Sequence, residues 1–167
     1  MKALVIYQSK TGFTKQYAQW IAEETGADLF NADQCKGSDL SDYDTIVFGG
    51  WIRAGGVQGI EFLRKNMGTF CVKDVFAFVV GLNIDGIAAR QECRDINFKK
   101  ELEEVPCYFL RGAYNPSEIT GGDKIIMGIM KKLMGDNNPE LKDAIINGAD
   151  YVDRSEIKYI VEALLKE

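Results

Sequence analysis

Ser9, Thr11 and Thr14 place three hydroxyls around Gly12, directly ahead of an amphipathic segment. Hydroxyls, a glycine that turns amide groups inward and the positive end of a following helix together make a cradle for a terminal phosphate. The same residues would also serve a plain strand-to-helix turn, with Ser and Thr capping the helix. Lys10 and Phe13 fill the loop and offer backbone N–H groups and one positive charge.

What the loop lacks narrows the ligand. It holds no G-x-x-x-x-G-K-[ST] string, so nucleoside triphosphate hydrolysis has neither its lysine nor its magnesium hydroxyl. No G-x-G-x-x-G follows the first apolar run, which argues against a dinucleotide fingerprint. A phosphate-receiver domain would need acidic residues at two strand ends, where this chain has Gln8-Ser9 and Gly49-Gly50. A mononucleotide is left. Histidine is absent, which removes Ser-His and Cys-His nucleophiles and imidazole metal sites. The nearest two cysteines, Cys93 and Cys107, are 14 positions apart, so no C-x-x-C motif forms and four buried thiols in a reducing cell are expected. With 20 Lys and Arg against 25 Asp and Glu, the formal charge of -5 argues against nucleic acid as a partner.

The elements that would position this chemistry alternate along the chain. Its 167 residues are the size of one domain, 1–167. Ala3 to Tyr7 reads as a buried parallel strand, and Lys15 to Thr25 as a helix with Tyr17, Ala18, Ile21 and Ala22 on one face. Further strands are expected over Ala27 to Ala32, Thr45 to Phe48 ending at Gly49-Gly50, Val75 to Val80 closed by Gly81, and Cys107 to Leu110. Helices are expected from about Val57 to Met67, somewhere between Ile87 and Glu104, and after an Asp153 cap with Glu156 three residues on. Five strands alternating with helices give a parallel sheet covered on both faces. Ligands bind beyond the carboxyl ends of such strands, here Ser9 to Thr14, Gly49 to Gly56, Gly81 to Asp85 and Arg111 to Asn115. The short apolar start and the lack of any long apolar run place the protein in the cytoplasm.

The segment VIYQSKTGFTKQYAQWIA resembles the phosphate loop and first helix of flavodoxin-like FMN proteins, and TIVFGGWIRAGG resembles their third strand and the loop beside the flavin ring. The stretches GGWIRAGG, FLRGAY and IIMGIMKKLMG are similar to the flavodoxin-domain branch that includes menaquinone-dependent protoporphyrinogen oxidase. The resemblance implies a flavodoxin-like three-layer α/β sandwich with a five-stranded parallel sheet in the order 2-1-3-4-5. It implies FMN as cofactor, with Ser9, Thr11, Gly12 and Thr14 on its phosphate and Lys10 and Phe13 giving backbone amides. Gly49, Gly50, Trp51, Ile52 and Gly55 would lie along the ring, joined by Gly81, Leu82 and Asn83 from the next strand exit. Trp51 is equally at home in the core.

Leu82 to Gly86 contains no aromatic, so the outer ring face is expected open or covered by Ile84 or Tyr114. Arg53 and Arg111 fall near the sheet edge, with Arg90 and Arg94 beyond. In the pocket they would favour an anionic substrate, with Arg53 its catalytic contact; on the surface they are ordinary solvated charges. Ile125 to Met134 is apolar around much of a helix and edged by Lys124, Lys131 and Lys132. Such a face suits a homodimer, a redox partner protein or a peripheral membrane contact near quinone, unless the segment up to Val152 buries it. The expected function is electron transfer through FMN, either to a small anionic substrate or as a plain carrier; a flavin-free interaction module is the other class.

Overall fold

The computed structural model describes residues 2–35, 39–133 and 138–166. Its first half runs β1 Ala3–Tyr7, α1 Phe13–Thr25, β2 Asp28–Asn31, β3 Thr45–Arg53, β4 Gly56–Gln58, α2 Ile60–Phe70, β5 Asp74–Gly81 and α3 Ile87–Asn97. β6 Cys107–Arg111, β7 Ala113–Tyr114, α4 Gly122–Leu133, α5 Pro139–Asn147, β8 Ala149–Asp150 and α6 Lys158–Leu165 follow. Five strands pair in parallel in the order β2-β1-β3-β5-β6, which is the expected 2-1-3-4-5 with β5 and β6 as fourth and fifth strands.

Alternation along these strands sorts their side chains into two cores. Leu4 and Ile6 of β1 join Ile46, Phe48, Ala77 and Val79 on one face, packed with Ile60, Leu63 and Phe70 of α2 and Cys93 of α3. Val5, Val47, Phe76, Phe78 and Val80 point the other way, into Tyr17, Ala18 and Ile21 of α1 and Ile160, Val161 and Leu164 of α6. Both faces are covered, which is why the strands read as continuous apolar runs and not as alternating ones. The result is a three-layer sandwich. Among the described residues no helix is long and apolar enough to cross a membrane.

Several boundaries differ from the sequence expectation. β3 does not stop at Phe48: Gly49, Gly50 and Trp51 stay in register with Phe78, Val79 and Val80 of β5, and the strand runs on to Arg53. It then folds back antiparallel onto β4 through a turn in which Ala54 and Gly55 both have positive φ, 50° and 81°. Two successive left-handed residues match the twist of a tight hairpin. Val57 belongs to that hairpin, so α2 begins at Ile60 and not at residue 57. Asp153 accepts from the Ser155 amide and caps a short 3-10 turn, Arg154–Ile157, ahead of α6. Glu156 does not complete a capping box, because its carboxylate is taken by Arg111. The thiols are not all buried: Cys35 and Cys93 are, Cys107 is half-buried and Cys71 is exposed.

Candidate functional site

The loop after β1 is pinned at its start by the Gln8 amide, which donates to the Gly49 carbonyl at 2.9 Å. Ser9 Oγ accepts from the Gly12 amide at 3.1 Å, and Gly12 turns the chain into α1 with φ 95°, a conformation costly for residues bearing a Cβ. No side chain caps α1, so Ser and Thr are not there to close the helix end. Its first amides therefore remain available as donors at the positive end of a 13-residue helix. Thr11 and Thr14 line a cavity beside that end.

The cavity measures about 390 Å³, within the usual range for small-molecule sites. It lies beyond the carboxyl ends of β1, β3, β5 and β6, where an open α/β sheet reverses its strand order. Of the expected residues, Lys10, Thr11, Phe13, Thr14, Trp51, Ile52, Arg53, Gly55, Gly81, Leu82 and Asn83 line it. Ser9, Gly12, Gly49 and Gly50 do not. Ser9 and Gly12 shape the loop from behind. Gly49 and Gly50 are interior strand positions whose lack of a side chain answers to packing: a Cβ on Gly49 would lie 2.1 Å from Phe78 Cζ, and one on Gly50 2.7 Å from the Gln58 carbonyl. The turn peptides that border the cavity are those of Ala54 and Gly55, at the hairpin tip.

A flavodoxin domain matches residues 4–140. The chain belongs to the flavodoxin family. No curated protein matches it. Among solved structures, the flavodoxin WrbA-like protein from Agrobacterium tumefaciens is 16% identical, with 75% of this chain and 88% of that chain covered at a TM-score of 0.47. A flavoprotein from Lactobacillus acidophilus in complex with FMN is 17% identical over 66% and 91%, TM-score 0.46. A flavodoxin from the domain Archaea is 20% identical over 79% and 98%, TM-score 0.42. Family membership rests on the domain match alone.

FMN is the cofactor of flavodoxins, and the residues present fit it. The uncapped α1 end and the hydroxyls of Thr11 and Thr14, which engage no other group among the described residues, would hold its phosphate. Apolar and aromatic walls from Trp51, Ile52, Val80 and Leu82 suit a planar ring. Beyond Tyr114, the sequence did not reveal the rest of the cavity wall. Tyr114 of β7 does line the cavity, whereas Ile84 is fully buried in the core and does not line it. Ile126, Met127 and Met130 of α4 and Leu141 and Ile145 of α5 complete the roof, with Cys93 and Ile96 of α3 at the side. The apolar breadth of α4 was the available signal: one side faces the cavity, and Ile125 and Ile129 face outward at 66% and 52% exposure. Met134, the end of the expected surface, lies outside the described residues.

Only one of the four arginines faces the flavodoxin cavity. Arg111 donates from both its backbone amide and its Nε to Glu156, at 2.6 Å each, and Glu156 holds its already high pKa higher still. Arg90 donates to the Ile84 carbonyl at 2.7 Å; Arg94 donates to those of Glu103 at 2.7 Å and Val105 at 3.2 Å. These three tie loops together. Arg53 remains, and its Nε meets Asp123 Oδ1 at 2.5 Å while Lys10 Nζ bonds the other oxygen. The Lys10 bond first and the Arg53 bond second hold the Asp123 carboxyl below the usual carboxylate range. Glu92 and Glu118 also line the cavity.

Proposed function

We propose that this flavodoxin-family protein is an oxidoreductase that exchanges electrons with a small anionic reactant in the cavity beyond its strand ends. The observation that carries the reading is the roof. A carrier that hands electrons to another protein needs its cofactor edge at the surface, whereas Ile126, Met127 and Met130 of α4 give this cavity a further apolar lining, as small-molecule sites have. Arg53 at the hairpin end is the contact for an anionic group. Bound FMN supplies one- or two-electron exchange; the chain binds its phosphate at the Thr11–Thr14 loop, orients its ring and shields it. The resemblance of GGWIRAGG, FLRGAY and IIMGIMKKLMG to the menaquinone-dependent protoporphyrinogen oxidase branch supports carboxylate-bearing or quinone reactants.

A plain electron carrier is the second reading, and the acids Glu92 and Glu118 at the cavity favour it, since negative surroundings disfavour an anionic reduced flavin. Two measurements separate these classes and the flavin-free module. A visible spectrum with FMN released on denaturation is expected, and a colourless protein that takes up no FMN would leave the module. Rapid-mixing rates with a carboxylate reactant and an uncharged one then compare wild type with Arg53→Ala. Loss of one charge-assisted bond should weaken capture of the carboxylate by about 1.5–3 kcal/mol and leave the uncharged reactant alone. Equal losses for both reactants favour the carrier.

A further inference from the structure

Between β7 and β8 the chain carries α4 and α5, and the base of this excursion is closed by two residue pairs, Ala113 with Asp150 and Tyr114 with Ala149. α5 buries Leu141, Ala144 and Ile145, but no residue of α4 from 122 to 132 is fully buried. Apolar packing alone therefore holds α4 weakly over the cavity. Its firm attachment is Asp123 in the first turn. One carboxylate oxygen takes Lys10 from the phosphate loop, the other takes Arg53 from the end of β3, and the side chain is only 13% exposed. Among the described residues neither Lys10 nor Arg53 has another carboxylate partner.

We propose that Lys10 and Arg53 form a carboxylate-binding subsite at the cavity, that Asp123 is its resident occupant, and that a carboxylate on an incoming reactant displaces Asp123 and releases α4. Two cations on different walls of one cavity already hold a carboxylate between them, which demonstrates the fit. Exchanging one carboxylate for another leaves the local charge unchanged. An uncharged ligand that displaced Asp123 would leave Lys10 and Arg53, 56% and 39% exposed, with water in place of a carboxylate, so the latch favours an anion. The reactant's identity rests on the oxidoreductase reading, but the latch does not. FMN carries an oxyanion of its own, and Lys10 belongs to the phosphate loop, so the cofactor's phosphate is the competing occupant.

Amide hydrogen exchange over α4 and α5 tests this without any turnover. The samples are wild type without FMN, wild type loaded with FMN, and each with benzoate as the carboxylate probe, beside Asp123→Asn and Arg53→Ala. Asp123→Asn should exchange about fivefold or more faster across α4 while the sheet core keeps its protection. Benzoate should speed α4 exchange in FMN-loaded wild type and add nothing in Arg53→Ala. Identical α4 exchange in wild type and Asp123→Asn would overturn the latch. If FMN alone brings wild type to the Asp123→Asn level, the phosphate is the displacing group and the carboxylate subsite is overturned. A protein that binds no FMN yet shows the Asp123 effect would sink the oxidoreductase reading and leave the latch standing.

Discussion

Thr14 is almost fully buried, yet it lines the cavity beside the uncapped start of α1. Replacing it with alanine removes a donor to a charged oxygen in a partly dry site, so Thr14→Ala should weaken FMN binding by about 1–3 kcal/mol. Fluorescence titration of FMN into the apo forms checks this, and equal dissociation constants would remove Thr14 from the phosphate contacts. The loop was legible because its chemistry is contiguous: hydroxyls, glycine and helix start follow one another from residue 9 to residue 14. Gly49 and Gly50 show the opposite case. Beside Trp51 they read as a strand exit against a flavin, but what makes them glycines is the Phe78 ring on one side and the β4 backbone on the other, and neither neighbour is visible from local sequence. Gly49→Ala should therefore cost about 1–3 kcal/mol of folding stability by overpacking, read as a lower denaturation midpoint. A midpoint equal to wild type would mean that Phe78 swings aside freely.

At the scale of elements, the cavity depends on where the β3–β4 hairpin stands, and Asn97 at the end of α3 holds it there. Its side-chain carbonyl accepts from the Val57 amide at 2.8 Å, and its amide donates to the carbonyls of Gly55 and Cys93 at 2.9 Å each. Two of these partners are 40 and 42 residues away in sequence, so no local pattern flags the residue. Asn97→Ala strands the Val57 amide and the Gly55 carbonyl, and leaving buried groups unpaired should cost about 1–3 kcal/mol. Amide exchange should localise the loss to the hairpin and the end of α3; a loss spread evenly over the sheet would contradict the clamp. Strand and helix types were readable from apolar runs and helical spacing, since each depends on residues a few positions apart. Which face of α4 meets the cavity was not, because Thr11, Arg53 and Tyr114 on the facing walls come from three other segments.

The whole molecule contains no histidine, and among the described residues the shifted carboxyls lie low and the shifted thiols and phenols high on the pH scale. Asp123 is held low by Lys10 and Arg53, and Asp153 by the Ser155 amide. A carboxyl whose folded value is depressed contributes stability that is complete above its unfolded value, about 3.9, and is lost as pH falls through the folded one. Burial pushes the Cys35, Cys93 and Cys107 thiols up, and pushes Tyr17 and Tyr43 up to about 12. The fold favours their neutral forms, so stability falls once the unfolded thiols begin to ionise, from about pH 8.5 upward. Between these limits the folded and unfolded chains bind nearly equal numbers of protons, and the linkage slope is close to zero. The melting temperature should accordingly stay within about 2 °C from about pH 5.5 to 7.5 and drop on both sides. Asp123→Asn should flatten part of the acid drop and leave the alkaline side unchanged, because it removes one depressed carboxyl and no thiol. A steady slope across the neutral range, or an acid limb identical in the variant, would show that the charges setting the pH response are not the Asp123 cluster.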